Sequence, residues 1–181
     1  MVELDVRRRP DGVPVVFHGG PPGRVLTGDA SLPSLEDVLE HVAGRLAVDL
    51  ELKEAGYEQV VVALALRYVA PERLVITSFL DDVVRLVGER ARDIATGLVV
   101  GRSPLKQGPV ATLSDVFPFR RLAASGAAFL APSHLLDVTR MRARAAARGI
   151  PLLVWTVNDP GKLAAARSDR RLLGIVTDRL T

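Results

Sequence analysis

VELDV at residues 2–6 sets Glu3 and Asp5 between Val2, Leu4 and Val6. In an extended strand residues two apart share a face, so the three aliphatic side chains point one way and the two carboxylates the other. DLELK at residues 49–53 repeats the pattern, with Asp49, Glu51 and Lys53 alternating with Leu50 and Leu52. Two strands that are aliphatic on one face and ionisable on the other call for a fold that covers the first face and gathers the second.

Working outward, short runs rich in Val, Ile and Leu recur at LAVDLEL (46–52), RLVITSF (73–79), TGLVVG (96–101), AAFLAP (127–132), PLLVWTV (151–157) and LGIVTD (173–178). Each reads as a buried strand. Segments with helical spacing lie between them: SLEDVLEHVAG after the Pro33–Ser34 start signal, EQVVVALALRYV, DDVVRLVGERAR, LSDVFPFRRLAASG, VTRMRARAAARG and DPGKLAAARSD. Pro118 is expected to break or shorten the fourth. With VELDV as the first strand, about seven strand–helix pairings follow one another, and no linker divides them, so residues 1–181 read as a single domain. Strict alternation means α/β with a parallel sheet, built either as an open doubly wound sheet or as a closed barrel. No Gly-rich phosphate loop of the GxGxxG kind follows any strand, and the polar strand faces favour the barrel, incomplete at about seven of eight βα units.

In a barrel the aliphatic set meets the outer helices, and Glu3, Asp5, Asp49, Glu51 and Lys53 converge inside one end. Several carboxylates facing inward must be neutralised, and a hard divalent cation does this economically. Glu3, Asp5 and Glu51 supply oxygen ligands suited to Mg²⁺ or Ca²⁺. The alternative is a set of mouth positions solvated by water, with Lys53 in a salt bridge. His18 closes VPVVFH, which the turn residues Pro10, Asp11 and Gly12 fold back as a hairpin toward the acids. There its imidazole can pass a proton to a leaving oxygen near neutral pH. His41 lies in an amphipathic helix and reads as surface or helix packing; His134, at a strand end, reads as a mouth residue.

Composition narrows the classes. The chain is 48% hydrophobic and 25% charged, which fits a folded globular domain. Its net charge of +3 is spread among acids, with clusters only at RRR (7–9) and RAR (142–144), so a nucleic-acid partner is not expected. It holds no cysteine, which excludes disulfides and thiolate metal sites. No apolar run reaches the ~18 residues of a membrane span.

ELDVRRRPDGVPVVFH, LTGDASLPSLEDVL, DLELK, the SF at 78–79, GIPLLVWTVND and GIVTD together resemble the glycerophosphodiester phosphodiesterase family, from residue 2 to about residue 178. The resemblance implies a TIM barrel, a divalent metal held by Glu3, Asp5 and Glu51, a phosphate contact from Lys53, and His18 as one of two acid/base catalysts. It also implies a pocket contact from Trp155, which on a barrel strand alone would read as core packing. The implied activity is metal-dependent hydrolysis of a small-molecule glycerophosphodiester to an alcohol and glycerol 3-phosphate, in lipid metabolism. The family's opening strand ending in His-Arg-Gly, and its Glu-Asn-Thr segment, have no counterpart here. The domain is therefore expected to be amino-terminally truncated or, as the alternative, a catalytically degenerate phosphate or metal binder. A homo-oligomer covering the open barrel edge is a further expectation, as is a cytoplasmic location. Gly19 stands where the family has aspartate, and Arg179 and Leu180 depart from its usual ending after TD.

Overall fold

The computed structural model describes residues 1–19, 31–101 and 108–179. The GGPPGR stretch and the start of LTGDASLPSLEDVL fall largely outside them. Strand β1 (Val2–Arg8) turns back through Asp11 and Gly12 into β2 (Pro14–Val16), and the two pair antiparallel with Val6 opposite Val16. The order then alternates: α1 (Leu35–Val42), β3 (Val48–Leu52), α2 (Glu58–Ala65), β4 (Leu74–Ser78), α3 (Asp81–Arg90), β5 (Ala95–Val100). Helices α4 (Pro109–Val116) and α5 (Phe119–Ser125) precede β6 (Phe129–Pro132). A 3-10 helix (His134–Thr139), α6 (Met141–Ala146), β7 (Leu152–Val154), α7 (Pro160–Arg167) and β8 (Leu172–Ile175) complete the chain's elements.

Apart from the hairpin, every neighbouring pair of strands is parallel, and the spatial order β2-β1-β3-β4-β5-β6-β7-β8 follows the chain. The sheet curls into an incomplete barrel, as the alternation implies. Among the described residues β8 pairs only with β7, and Val2–Leu4 of β1 pair only with β3, so the barrel is open between these two strands. Side chains of β8 are half-buried or exposed, whereas those of β6 and β7 are buried.

Local signals place the helices. Ser34 caps α1, its hydroxyl accepting the Asp37 N–H at 3.1 Å, which satisfies one of the open amides of the first turn. Asp159 does the same for α7, accepting the Lys162 N–H at 2.9 Å with Pro160 at the first helical position. Pro118 separates α4 from α5, as its missing N–H requires. VTRMRARAAARG is interrupted at Arg140, whose φ of 58° ends the 3-10 helix and starts α6.

Two apolar layers follow. Outside, Val6, Val48, Leu50 and Leu52 meet Leu35, Leu39, Val61 and Ala65 of α1 and α2, while Leu98, Leu130, Leu152 and Val154 meet Leu122, Met141 and Leu163. Inside, Val99, Phe129, Ala131 and Leu153 pack with Val75, Phe79, Trp155 and Val176. Gly97 makes room for that inner layer: a Cβ there would lie 2.3 Å from the Phe129 ring. Gly97→Ala is therefore expected to cost about 1–3 kcal/mol through overpacking, read as a lowered denaturant midpoint. Phe129→Leu in the same chain should recover part of the loss; a Gly97→Ala midpoint equal to wild type would contradict this packing.

Candidate active site

Register explains how the acids meet. Glu3 lies beside Asp49 and Asp5 beside Glu51, and directly paired residues of parallel strands share a face. Ligand oxygens of Glu3, Asp5 and Glu51 lie within 4.8 Å of one another. The Lys53 ammonium sits between two of these carboxylates, 2.5 Å from Asp5 Oδ1 and in contact with Glu51 Oε1. Asp49, 1% exposed, lies deeper and accepts a hydrogen bond from the Thr77 hydroxyl at 2.8 Å.

Four carboxylates thus share one ammonium. Lys53 serves Asp5 and Glu51, whereas Oε1 of Glu3 is buried without a hydrogen-bond partner. Burial, then the charges of Asp5, Glu51 and Asp49, push Glu3 up to about 8 from an ordinary value of 4.5, with Lys53 opposing. Asp49 rises to about 7, chiefly by burial, against the Thr77 hydrogen bond that lowers it. Burial pulls Lys53 down, but Glu51 and Asp5 more than offset it and its pKa is raised. An acidic pocket with one unsatisfied buried oxygen, two carboxylates already bridged by a cation and only oxygen donors fits a hard divalent ion.

His18, at the end of the hairpin, contacts Asp5 Oδ2 through Nδ1, and its side chain is 93% exposed. One carboxylate therefore serves both Lys53 and His18. Gly19 follows it where any Cβ would lie 2.5 Å from the Phe17 ring. On the far side, Phe79 and Trp155 meet edge to face with centroids 5.7 Å apart at 89°. Trp155 donates its indole N–H to the Ala131 carbonyl at 2.8 Å, and Lys53 Nζ lies 6.0 Å from the Phe79 ring centre. The aromatic pair therefore borders the acidic cluster. His41 is exposed on α1, and His134 sits at the mouth with its N–H on the Trp155 carbonyl at 2.6 Å.

The structure thus brings Glu3, Asp5, Glu51, Lys53 and His18 together and sets Trp155 against Phe79 beside them. It adds groups that sequence spacing does not reveal. Thr77 holds Asp49 from the next strand. The fully buried pair Arg7–Glu54, at 2.6 Å, joins the hairpin to the loop after β3 across 47 residues, and the Tyr57 hydroxyl donates to the Val6 carbonyl at 2.6 Å beside it. Arg121 ties the end of β4 to α4, donating to Asp81, Asp115 and the Phe79 carbonyl.

Fold and site together define a class: a parallel βα barrel, open on one side, with an acidic cluster on the inner face of two adjacent strands. No family model and no curated protein matches the sequence. Solved structures match the fold across nearly its whole length. A phosphodiesterase from Oleispira antarctica, in complex with the product sn-glycerol-3-phosphate, is 23% identical with a TM-score of 0.70, covering 97% of this chain and 80% of its own. A glycerophosphodiester phosphodiesterase from Parabacteroides distasonis is 20% identical with a TM-score of 0.71, over 97% and 78%. A calcium-dependent phosphoinositol-specific phospholipase C from a Pseudomonas species is 13% identical with a TM-score of 0.56, over 96% and 78%. At these identities the likeness establishes the barrel, and the chemistry has to be argued from the residues.

The raised carboxyl groups predict a pH dependence of stability. The folded chain keeps the Glu3 proton up to about pH 8, while an unfolded glutamate releases it near 4.5, so between these values the folded state holds more protons and rising pH favours unfolding. Asp49 acts the same way between 3.8 and about 7. In chelator, the melting temperature should fall from about pH 5 to about pH 8, and Glu3→Gln should flatten the decline. Constant or rising stability of the wild type over that range would refute this electrostatic account.

Proposed function

We propose that the chain is a phosphoric diester hydrolase of the glycerophosphodiester phosphodiesterase kind, using a divalent cation held by Glu3, Asp5 and Glu51. The observation that carries this reading is the convergence of those three carboxylates, one oxygen unsatisfied, with Lys53 and His18 at the mouth of a barrel shared with phosphodiesterases. Mg²⁺ or Ca²⁺ bound there would supply Lewis-acid polarisation of a phosphoryl oxygen.

The chain's own groups divide the remaining work. Lys53 offers a buried ammonium to a phosphate oxygen and so favours the charge that builds as water adds to phosphorus. His18 is oriented by the contact of its Nδ1 with Asp5. The imidazole takes a proton from the attacking water or, once protonated, gives one to the departing alkoxide. The new P–O bond comes from water, the bond to the alcohol breaks, and glycerol 3-phosphate and the alcohol leave. Phe79 and Trp155 give the glycerol moiety an apolar wall that excludes water.

Calorimetry should show Mg²⁺ or Ca²⁺ binding that weakens at least about tenfold in Glu51→Gln. With the ion present, glycerophosphocholine or glycerophosphoethanolamine should yield glycerol 3-phosphate, and Glu51→Gln should abolish the release. Absence of ion binding would defeat the metal site. Tight ion binding without release would favour the second reading, a degenerate binder, which the 93% exposure of the single histidine at the site supports. The half-exposed β8 edge supports self-association along the opening, and sedimentation equilibrium should then report a dimer; a strict monomer would exclude it. We take the cytoplasm as its location; no described helix is long and apolar enough to cross a membrane.

A further inference from the structure

Half of the large exposed hydrophobic side chains among the described residues fall in two short segments at the barrel mouth. Val110, Leu113 and Phe117, on or just after α4, are 83%, 61% and 59% exposed; Leu135 and Val138, on the 3-10 helix, are 65% and 89% exposed. Positions 110, 113 and 117 recur at helical spacing, so they form one stripe turned away from the protein. Both segments follow the carboxyl ends of adjacent strands, β5 and β6. They also meet at Gly101. The Gly101 N–H donates to Asp115 at the end of α4 at 2.9 Å, and Leu136 of the 3-10 helix lies 3.1 Å from where a Gly101 Cβ would stand.

The charge around this apolar stripe has one sign. Asp115 is taken by Arg121, and Asp137 by Arg142. Arg120, Arg140, Arg144 and Arg148 have no acidic partner among the described residues. Arg144 instead stacks on Phe117 and Phe119, its guanidinium carbon 4.7 and 5.1 Å from the ring centres, and Arg148 on Phe119 at 4.4 Å. Aliphatic side chains held out in water beside guanidinium groups with no acidic partner among the described residues complement one surface in particular: acyl chains beneath anionic headgroups.

We propose that the mouth-side face formed by α4, the 3-10 helix and the arginines Arg140 and Arg144 docks on a bilayer carrying anionic lipids. Docking there turns the carboxyl ends of β5 and β6 toward the membrane surface. The aliphatic side chains enter the interface and the guanidinium groups lie at headgroup level. The inference is independent of turnover at the acidic site, and the test separates the two.

The full-length chain is sedimented with phosphatidylcholine vesicles and with vesicles of phosphatidylcholine and phosphatidylserine. Binding is expected to the second and not the first, and to weaken as salt is raised. Val138→Asp and Leu113→Asp, both at exposed positions, should each lower partitioning about tenfold or more with the circular dichroism spectrum unchanged. Arg140→Asn, which tolerates the left-handed backbone, should lower it about fivefold. Glu51→Gln should leave vesicle binding intact whatever it does to ion binding or hydrolysis. No binding to the phosphatidylserine vesicles, equal binding by wild type and both aspartate variants, or a dimer that those variants dissociate would overturn the proposal, the last assigning the face to a second copy.

Discussion

Lys53 is the interaction on which the rest of the site depends. One ammonium faces four inward carboxylates, and without it the adjacent Asp5 and Glu51 would lose the charge that bridges them. By bridging Asp5 and Glu51 it holds β1 and β3 together at the level where the barrel opens, on top of the backbone pairing that already joins them. Burial first, and then the charge of the neighbouring carboxylates, push Glu3 and Asp49 toward their neutral forms, while Asp5 and Glu51 carry the ion pairs. A site arranged this way stores an electrostatic cost in the folded chain, and a cation binding there relieves it.

The inner face of the sheet divides accordingly. β1 and β3 contribute ionisable groups, whereas β4 to β7 contribute Val75, Val99, Phe129, Ala131 and Leu153. The apolar half is packed tightly enough that a glycine is required at position 97. Phe79 and Trp155 stand at the border of the two halves, within reach of Lys53 on one side and of the apolar layer on the other. The substrate proposed above fits that division, its charged phosphoryl group meeting the ionisable half and the C–H faces of its glycerol carbons the aromatic border.

Much of this is legible in the chain itself. The period-two alternation of VELDV and DLELK places Glu3, Asp5, Glu51 and Lys53 on one face because strand geometry leaves no choice once the aliphatic face is committed to the helices. Ser34, Pro118 and Asp159 mark helix boundaries by local chemistry, and the turn at Asp11 and Gly12 returns His18 to Asp5. What is hidden is contact across the sequence. Thr77 reaches Asp49 over 28 residues, Glu54 reaches Arg7 over 47, and Arg121 reaches Asp81 over 40; none leaves a spacing that a single chain displays. The break at Arg140 is hidden for a different reason, since an arginine with positive φ follows no composition signal.

The open side of the barrel bears on the site through Glu3. Its register partner on β3 is Asp49, and on its other flank β1 pairs with nothing among the described residues until the Asp5 carbonyl accepts the Phe17 N–H and Val6 meets the hairpin. Glu3 thus stands on the stretch of β1 that pairs on one side only among the described residues, and it is also the carboxylate with the unsatisfied oxygen. Anything that pairs along this edge removes water from that flank, which raises the cost of a charged Glu3 unless the pairing element brings a donor or a cation is held beside it. Barrel closure and cation binding are thus linked through one residue. A strand that closes the barrel with an apolar neighbour at this level favours the protonated acid, whereas one that brings a positive charge favours the carboxylate that a metal requires.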